Sequence, residues 1–493
     1  MQLPENKLSR SGIFVSGISF TILLIYFLNF FYNLNELVGI TLILLLTGLG
    51  IVLLLRYKQF LLYSLSFLIP ISVPLTIGGE TKISAPSEII CALLSVFFFI
   101  KLWQDKKISA TILKHPITLL IIADLVWLFI TSLSSQMPIV SFKRVTIKLM
   151  YYICFYYFYY ELFSLDHKNI RKIFMIHCIG FLVPIISASI LHARLGFTTM
   201  GSQLTSAPFY NDHTMYGSAL VFFLPFLFFN SFKKFSPGSN FILPSVLLII
   251  FSVASFLSYS RAAWLSLIVS VVIGILIKLK PRMHHFVLLT GILLVVFFAY
   301  RNSISEYFTR TKEVSHNNNV GMHFKSISNI NTDASNLERV NRWKCALRMF
   351  KDKPAFGFGP GTYQFFYGTY QVRKDMTHIS TFLGTKGHAH SEYLNYLSET
   401  GLPGCLIFIA LIATVILTSL KVIKKSTDKN NRNLVTAIML GLLTYFIHAF
   451  FNGFIEFEKI AMPVFMSMAA ITYLDISQKK KENGNDLRHN DHP

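Results

Sequence analysis

The feature that most constrains this chain is the recurrence of long apolar runs. A helix crossing the hydrocarbon core of a bilayer needs about 20 mostly apolar residues. Such runs occur near 12–32, 36–55, 60–77, 87–103, 117–134, 146–164, 172–192, 214–231, 240–257, 262–279, 284–300, 402–422, 433–451 and 459–476. Several are short or interrupted by a polar residue, so the expectation is an all-α polytopic membrane protein with about 12–14 transmembrane helices. Composition agrees: 53% of residues are hydrophobic and 14% charged, whereas an ordinary soluble domain carries about 25% charged residues. A cytosolic enzyme, a disordered chain and a fibrous protein are excluded. The first run follows Lys7 and Arg10 as a signal peptide would, but it lacks a small-x-small cleavage site and leads into another span. It reads as retained.

The chain has 45 Lys and Arg against 24 Asp and Glu, a net charge of +21. The basic residues fall in alternate short loops, among them Arg56/Lys58, Lys106/Lys107/Lys114, Lys168/Arg171/Lys172, Lys233/Lys234, Lys278/Lys280/Arg282 and Lys421/Lys424/Lys425. By the positive-inside rule those loops are cytoplasmic, as are the N-terminus and the Lys479-Lys480-Lys481 tail. The excess charge is then topology and contact with anionic membrane lipids, not nucleic-acid binding. Five cysteines make no disulfide framework; only Cys345 lies outside the apolar runs. The organisation expected is transmembrane helices 1–11 over 1–300, a large loop on the opposite side over 301–401, C-terminal transmembrane helices over 402–476 and a cytoplasmic tail over 477–493. Within the large loop, 315–337 looks mobile. By contrast 338–353 reads as an amphipathic helix, because Val340, Trp343, Leu347 and Phe350 recur at helical spacing.

The densest chemical signal runs from Gly387-His388-Ala389-His390-Ser391-Glu392 to Gly401-Leu402-Pro403-Gly404. Residues 390–400 have helical periodicity, Gly401 suits a left-handed helix end, and Pro403 suits the first turn of the next span. His390 thus heads a short outer helix. Two readings stand: an imidazole acting as general base on a sugar hydroxyl, or a residue that only hydrogen-bonds at an interface. His388 and His390 show no helical zinc signature and no third ligand, so no metal is expected.

Three other stretches share the outer face. Ser258-Tyr259-Ser260-Arg261 is a tight connection in which Ser260 can cap a helix and Arg261 stands at its positive end, where an anion is favoured. A guanidinium adds bidentate phosphate recognition; the alternative is snorkelling to lipid phosphate. Arg339 and Arg342, with Arg373 further on, are candidates for holding a diphosphate or are solvated loop residues. The glycines of Gly357-Phe358-Gly359-Pro360-Gly361 lack the Lys-Ser/Thr of a nucleotide-binding loop. Asn211 or Asp212 can cap the span starting near Thr214. The tyrosines 151, 152, 156, 157, 159 and 160 read as interface or groove-lining aromatics. Asp124 is the one clearly central acid; a pump or channel would carry more buried ionisable groups.

These residues together resemble the O-antigen ligases. His390-Ser391, nine residues and then Gly401-x-x-Gly404 fit that family's pattern His-[Asn/Ser/Gln]-x9-Gly-x-x-[Gly/Thr/Tyr]. Glu399, the Arg339-x-x-x-Trp343 run, the Lys353-Pro354-x-x-Gly357-x-Gly359-Pro360-Gly361 turn and Ser260-Arg261 extend the likeness over about 200–404. Polymerases of O-antigen and capsule share much of the same pattern. The resemblance implies a metal-independent, cofactor-free membrane glycosyltransferase of GT-C type in the bacterial inner membrane, its large loop periplasmic. The donor would be a glycan on undecaprenyl diphosphate and the acceptor a sugar hydroxyl of lipid A-core. His390 would be the base and Arg261 would bind the diphosphate, with Arg339, Arg342, Arg373, His388 and Glu399 as candidates for substrate contact. A flippase of lipid-linked sugars is the rival of another class, and it would need polar residues deep in the membrane.

Overall fold

A computed structural model of the chain describes residues 59–77, 81–105, 108–231, 241–279, 334–377, 380 and 387–490. The runs 12–32, 36–55 and 284–300, and most of 315–337, lie outside the described residues. The first described helix, α1 (Gln59–Ile71), leads into an antiparallel hairpin of β1 (Val73–Ile77) and β2 (Thr81–Ala85), with Val73 opposite Ala85 and Ile77 opposite Thr81. The single span expected over 60–77 therefore stops at Ile71. Pro70 and Pro74 explain this, since each lacks an N–H and Pro74 cannot extend a helix that Pro70 has already tightened. Then follow α2 (Ser87–Asp105), α3 (Pro116–Leu133), α4 (Pro138–Tyr151) and, after a π-helical turn over Tyr152–Tyr157, α5 (Phe158–Leu165). Next come α6 (Lys168–Gly180), α7 (Leu182–Arg194), α8 (His213–Ser231), α9 (Ile242–Leu257) and α10 (Arg261–Leu279). After the large loop's helix α11 (Ala334–Asp352), α12 (Glu392–Lys425), α13 (Lys429–His448) and α14 (Glu458–Asn490) complete the described fold.

Six described helical segments are long and apolar enough to cross a membrane: Ser87–Gln104, Pro116–Leu133, Lys168–Arg194, His213–Ser231, Glu392–Lys425 and Glu458–Glu482. The chain is an all-α polytopic membrane protein. Two central helices, α8 and α14, are buried over most of their length, while α2 and α9 present Trp103, Val96, Ile249 and Val253 outward. α8 packs on α9, α10 and α13, and α12 packs on α3, α11 and α13.

The interior is more polar than the sequence suggests. α4 begins at Pro138, eight residues before the run read from hydropathy, and so carries Lys143 and Arg144 into the helical body beside Lys148. Lys148 Nζ is 2.8 Å from Asp124 Oδ2, and Tyr152 donates to the same carboxylate at 3.0 Å. Asp124 is thus paired, its partner lying inside the run 146–164. Two further tyrosines bond inside the fold: Tyr156 shares hydrogen bonds with Thr118 (2.5 Å) and Thr472 (3.1 Å), and Tyr159 with Ser66 (2.6 Å). Tyr151 does line a pocket.

Candidate active site

Residues 387–391 form a short loop whose every turn is fixed by a partner. Gly387 has φ +117°, and a Cβ there would run into the Arg342 guanidinium. Arg342 itself is buried: its Nε donates to Glu338 at 2.9 Å, Nη1 donates to the His388 carbonyl at 3.2 Å, and the guanidinium lies 4.8 Å over the Tyr367 ring. Trp343 Nε1 donates to the His390 carbonyl at 3.1 Å. The Ala389 N–H donates to Asn395 Oδ1 at 3.3 Å. Ser391 then caps α12, its hydroxyl oxygen accepting from Leu394 N. His390 has φ +49°, a left-handed conformation that costs a non-glycine residue about 1–3 kcal/mol unless its surroundings impose it. Here α11, through Arg342 and Trp343, imposes it.

The hydrogen bonds also set the imidazole tautomers. The His390 backbone N–H donates to His388 Nδ1 at 3.0 Å, so the His388 proton sits on Nε2. His390 Nδ1 faces Asn452 Oδ1 at 3.5 Å, while Asn452 Nδ2 donates to His448 Nε2 at 3.0 Å. In this assignment His390 carries its proton on Nδ1 and offers the Nε2 lone pair. Burial, followed by the Arg342 charge, lowers His388 to about 4. Burial, His388, Arg342 and Arg339 together hold His390 well below the usual histidine range. Both rings are neutral at pH 7.

Arg261 opens α10 behind Ser260, whose hydroxyl accepts from Ala263 N at 3.4 Å, and after Tyr259, another non-glycine residue of positive φ. The Ala262 backbone packs on His448, the ring that Asn452 links to His390. Arg261 is thus the chain neighbour of a residue whose backbone contacts that ring. Arg339 acts electrostatically on His388, His390 and His448, and Asp212 on His388 and His448. Asp212 caps α8, accepting from Thr214 N at 2.8 Å. Burial would raise its carboxyl, but hydrogen bonds from His213 and Thr214 outweigh that and hold it well below the usual range.

The other candidates fall elsewhere. Arg373 is exposed on a 3-10 turn whose Asp375 pairs with Lys344 (2.5 Å) and Arg348 (2.6 Å). Glu399 is buried and accepts from Gly361 N and Tyr363 N, both at 2.9 Å. With Phe358 N donating to Ser398 O and Gly359 N to Glu399 O, it straps the glycine-rich turn to α12. Glu399 and Arg342 are thus engaged with the protein itself. Gly401 (φ +70°) breaks α12 where the sequence places the break. Among the described residues no group of three His, Cys, Asp or Glu is placed to hold a metal ion.

Residues 246–409 match the family model described as O-antigen ligase. The chain carries an O-antigen ligase domain. No curated protein matches the chain. The ligase domain supports a membrane glycosyltransferase activity of the O-antigen ligase or polymerase type, handling a lipid-linked glycan and a glycan acceptor. It contains Arg261, Arg339, Arg342, Arg373, His388, His390 and Glu399, and lies partly in α9–α12. Sequence reasoning missed His448 and Asn452, which lie beyond the ligase domain. A readable signal existed: both are polar residues at the C-terminal end of the apolar run 433–451, a run boundary like the one that drew attention to Ser260-Arg261.

Proposed function

We propose that the chain transfers a glycan from undecaprenyl diphosphate to a sugar hydroxyl of lipid A-core at the periplasmic face of a bacterial inner membrane. The observation that carries this reading is a neutral His390 set among cations. Its Nε2 takes the proton of the acceptor hydroxyl, whose oxygen forms the new bond to the anomeric carbon. The bond from that carbon to the diphosphate oxygen breaks in the same displacement, inverting the centre. The departing undecaprenyl diphosphate carries the electron pair, and Arg261 and Arg339 meet its charge. Arg342 and Trp343 position His390, and Asn452 orients its ring. The step draws on no metal and no nucleotide.

A polymerase of the same superfamily would use the same groups on a different acceptor. The deciding assay offers purified protein a lipid-diphosphate-linked glycan with lipid A-core or with a lipid-linked single repeat. Transfer to lipid A-core is expected; extension of the repeat would identify a polymerase, and transfer to neither would overturn the reading. His390→Ala should lower turnover by about 10²–10⁴-fold, the usual worth of a general base. Arg261→Lys should also be strongly impaired, because it keeps the charge and loses the planar fork.

A further inference from the structure

The connection from α13 to α14, residues 449–457, lies beyond the ligase domain and yet closes on the histidine loop. Ile455 N donates to Glu392 Oε1 at 2.7 Å, Glu392 N donates to the Ala449 carbonyl at 2.9 Å, and the Phe454 ring stands edge-on to His388. His448 ends α13, and Asn452 follows one turn later, its backbone N–H donating to the His448 carbonyl at 3.2 Å. Both side chains are buried. The Asn452 amide is held between two imidazoles, with Oδ1 3.5 Å from His390 Nδ1 and Nδ2 3.0 Å from His448 Nε2.

An amide in that place can stand two ways, because one end accepts and the other donates. With Oδ1 toward His390, the proton of that ring lies on Nδ1, and Nε2 holds the lone pair a base needs. With Nδ2 toward His390, Nδ1 becomes the acceptor, the proton moves to Nε2, and the base is lost. His390 does not choose between these states, since either of its nitrogens can carry the proton. The choice falls to His448. A ring that accepts at Nε2 keeps its proton on Nδ1, and a ring that donates from Nε2 leaves a lone pair there. Nδ1 of His448 is buried and makes no close hydrogen bond among the described residues. The backbone acceptor that acts on the ring is Ala262, and Nδ1 is the nitrogen left for it once Asn452 holds Nε2. An acceptor repels a lone pair and attracts an N–H. That keeps the His448 proton on Nδ1, makes Nε2 the acceptor, and turns Oδ1 of Asn452 toward His390.

We propose that His448 is a positioning residue: acting through the Asn452 amide, it fixes the one tautomer in which His390 can take a proton at Nε2. The assignment rests on the reading of His390 as the base. The test uses the full chain in lipid nanodiscs with isotope-labelled histidine and solid-state NMR, which reads the protonated nitrogen of each ring. His390-Ser391 and Ile447-His448-Ala449 each occur once in the chain, so labelling of neighbouring residue pairs assigns both rings in the unmodified protein. Both should carry the proton on Nδ1; a proton on Nε2 of either ring would overturn the assignment, a readout independent of whether a variant folds. Turnover supplies the second arm. His448→Leu releases the amide and should lower kcat by about tenfold or more with KM little changed, since a ring in the wrong tautomer does not act as a base. Adding Asn452→Asp replaces the amide by a group that only accepts, so the double variant should regain most of the lost rate. A residue needed for packing alone would not be rescued in this way. Full kcat in His448→Leu, or a folded double variant no faster than the single one, would sink the positioning role. Both protons on Nδ1 in a protein that transfers no glycan would instead sink the transferase reading alone.

Discussion

His390 combines a free Nε2 lone pair with a proton affinity held low by burial, His388, Arg342 and Arg339. A base of low proton affinity is always deprotonated but pulls weakly. In the proposed mechanism the donor's diphosphate would change that balance, because its negative charge beside Arg261 and Arg339 would offset the cations and raise the affinity of His390 for a proton. The pH profiles should reveal this. With His390 as the proposed base its neutral ring would be the active form, so kcat/KM, which reports the free enzyme, should stay flat as pH falls through 6.5 and decline only below it. The acid limb of kcat, which reports the donor complex, should lie at higher pH. Coincident limbs in the two profiles would show that donor charge does not tune the base. At this scale the sequence marks His390 and Arg261 as candidates. It could not tell that Arg342 and Glu399 are occupied, because Glu399's partners are the backbone N–H groups of residues 361 and 363, and a backbone donor leaves no mark in a sequence.

Among the elements, α12 decides how the loop and the membrane meet. Gly401 has φ +70°, and a Cβ on it would run into the Ala355 carbonyl, while Leu402 N donates to Pro354 O at 2.8 Å. The glycine-rich turn therefore packs against the break in α12. Gly401→Ala should destabilise the protein by about 1–3 kcal/mol from the backbone conformation alone, with a further cost from the clash, read as a lowered thermal midpoint in detergent. An unchanged midpoint would mean that the turn and the helix separate freely. This break and α11 were legible because glycine, proline and helical periodicity are local signals. The start of α4 was not legible: Lys143 and Arg144 depress local hydropathy, and the Glu456 that answers Arg144 comes from a distant part of the chain.

For the whole molecule, the Lys148–Asp124 pair joins α4 to α3, and Tyr396, on α12, donates to Asp124 at 3.3 Å. Removing one charge of a buried pair leaves the other uncompensated, at a cost of about 3–5 kcal/mol. Lys148→Met should lower the thermal midpoint by that equivalent, and the double variant Lys148→Met/Asp124→Leu should recover most of the loss. A double variant as unstable as the single one would show that the tyrosine hydroxyls, not the ion pair, hold these helices together. The polar interior here is held by pairs of this kind, the Lys148–Asp124 contact among them.

The π-helical turn over Tyr152–Tyr157 has a consequence for comparing this chain with its relatives. Its hydrogen bonds skip one residue more than those of an α-helix, so the segment stores an extra residue without displacing what lies on either side. A homologue one residue shorter here can keep its counterparts of Lys148 and Glu161 facing the same neighbours by straightening the turn. A single-position gap in an alignment through this span would then trace an insertion absorbed by helix geometry, and residues on both sides of it should be matched by the direction they face, not by counting along the chain.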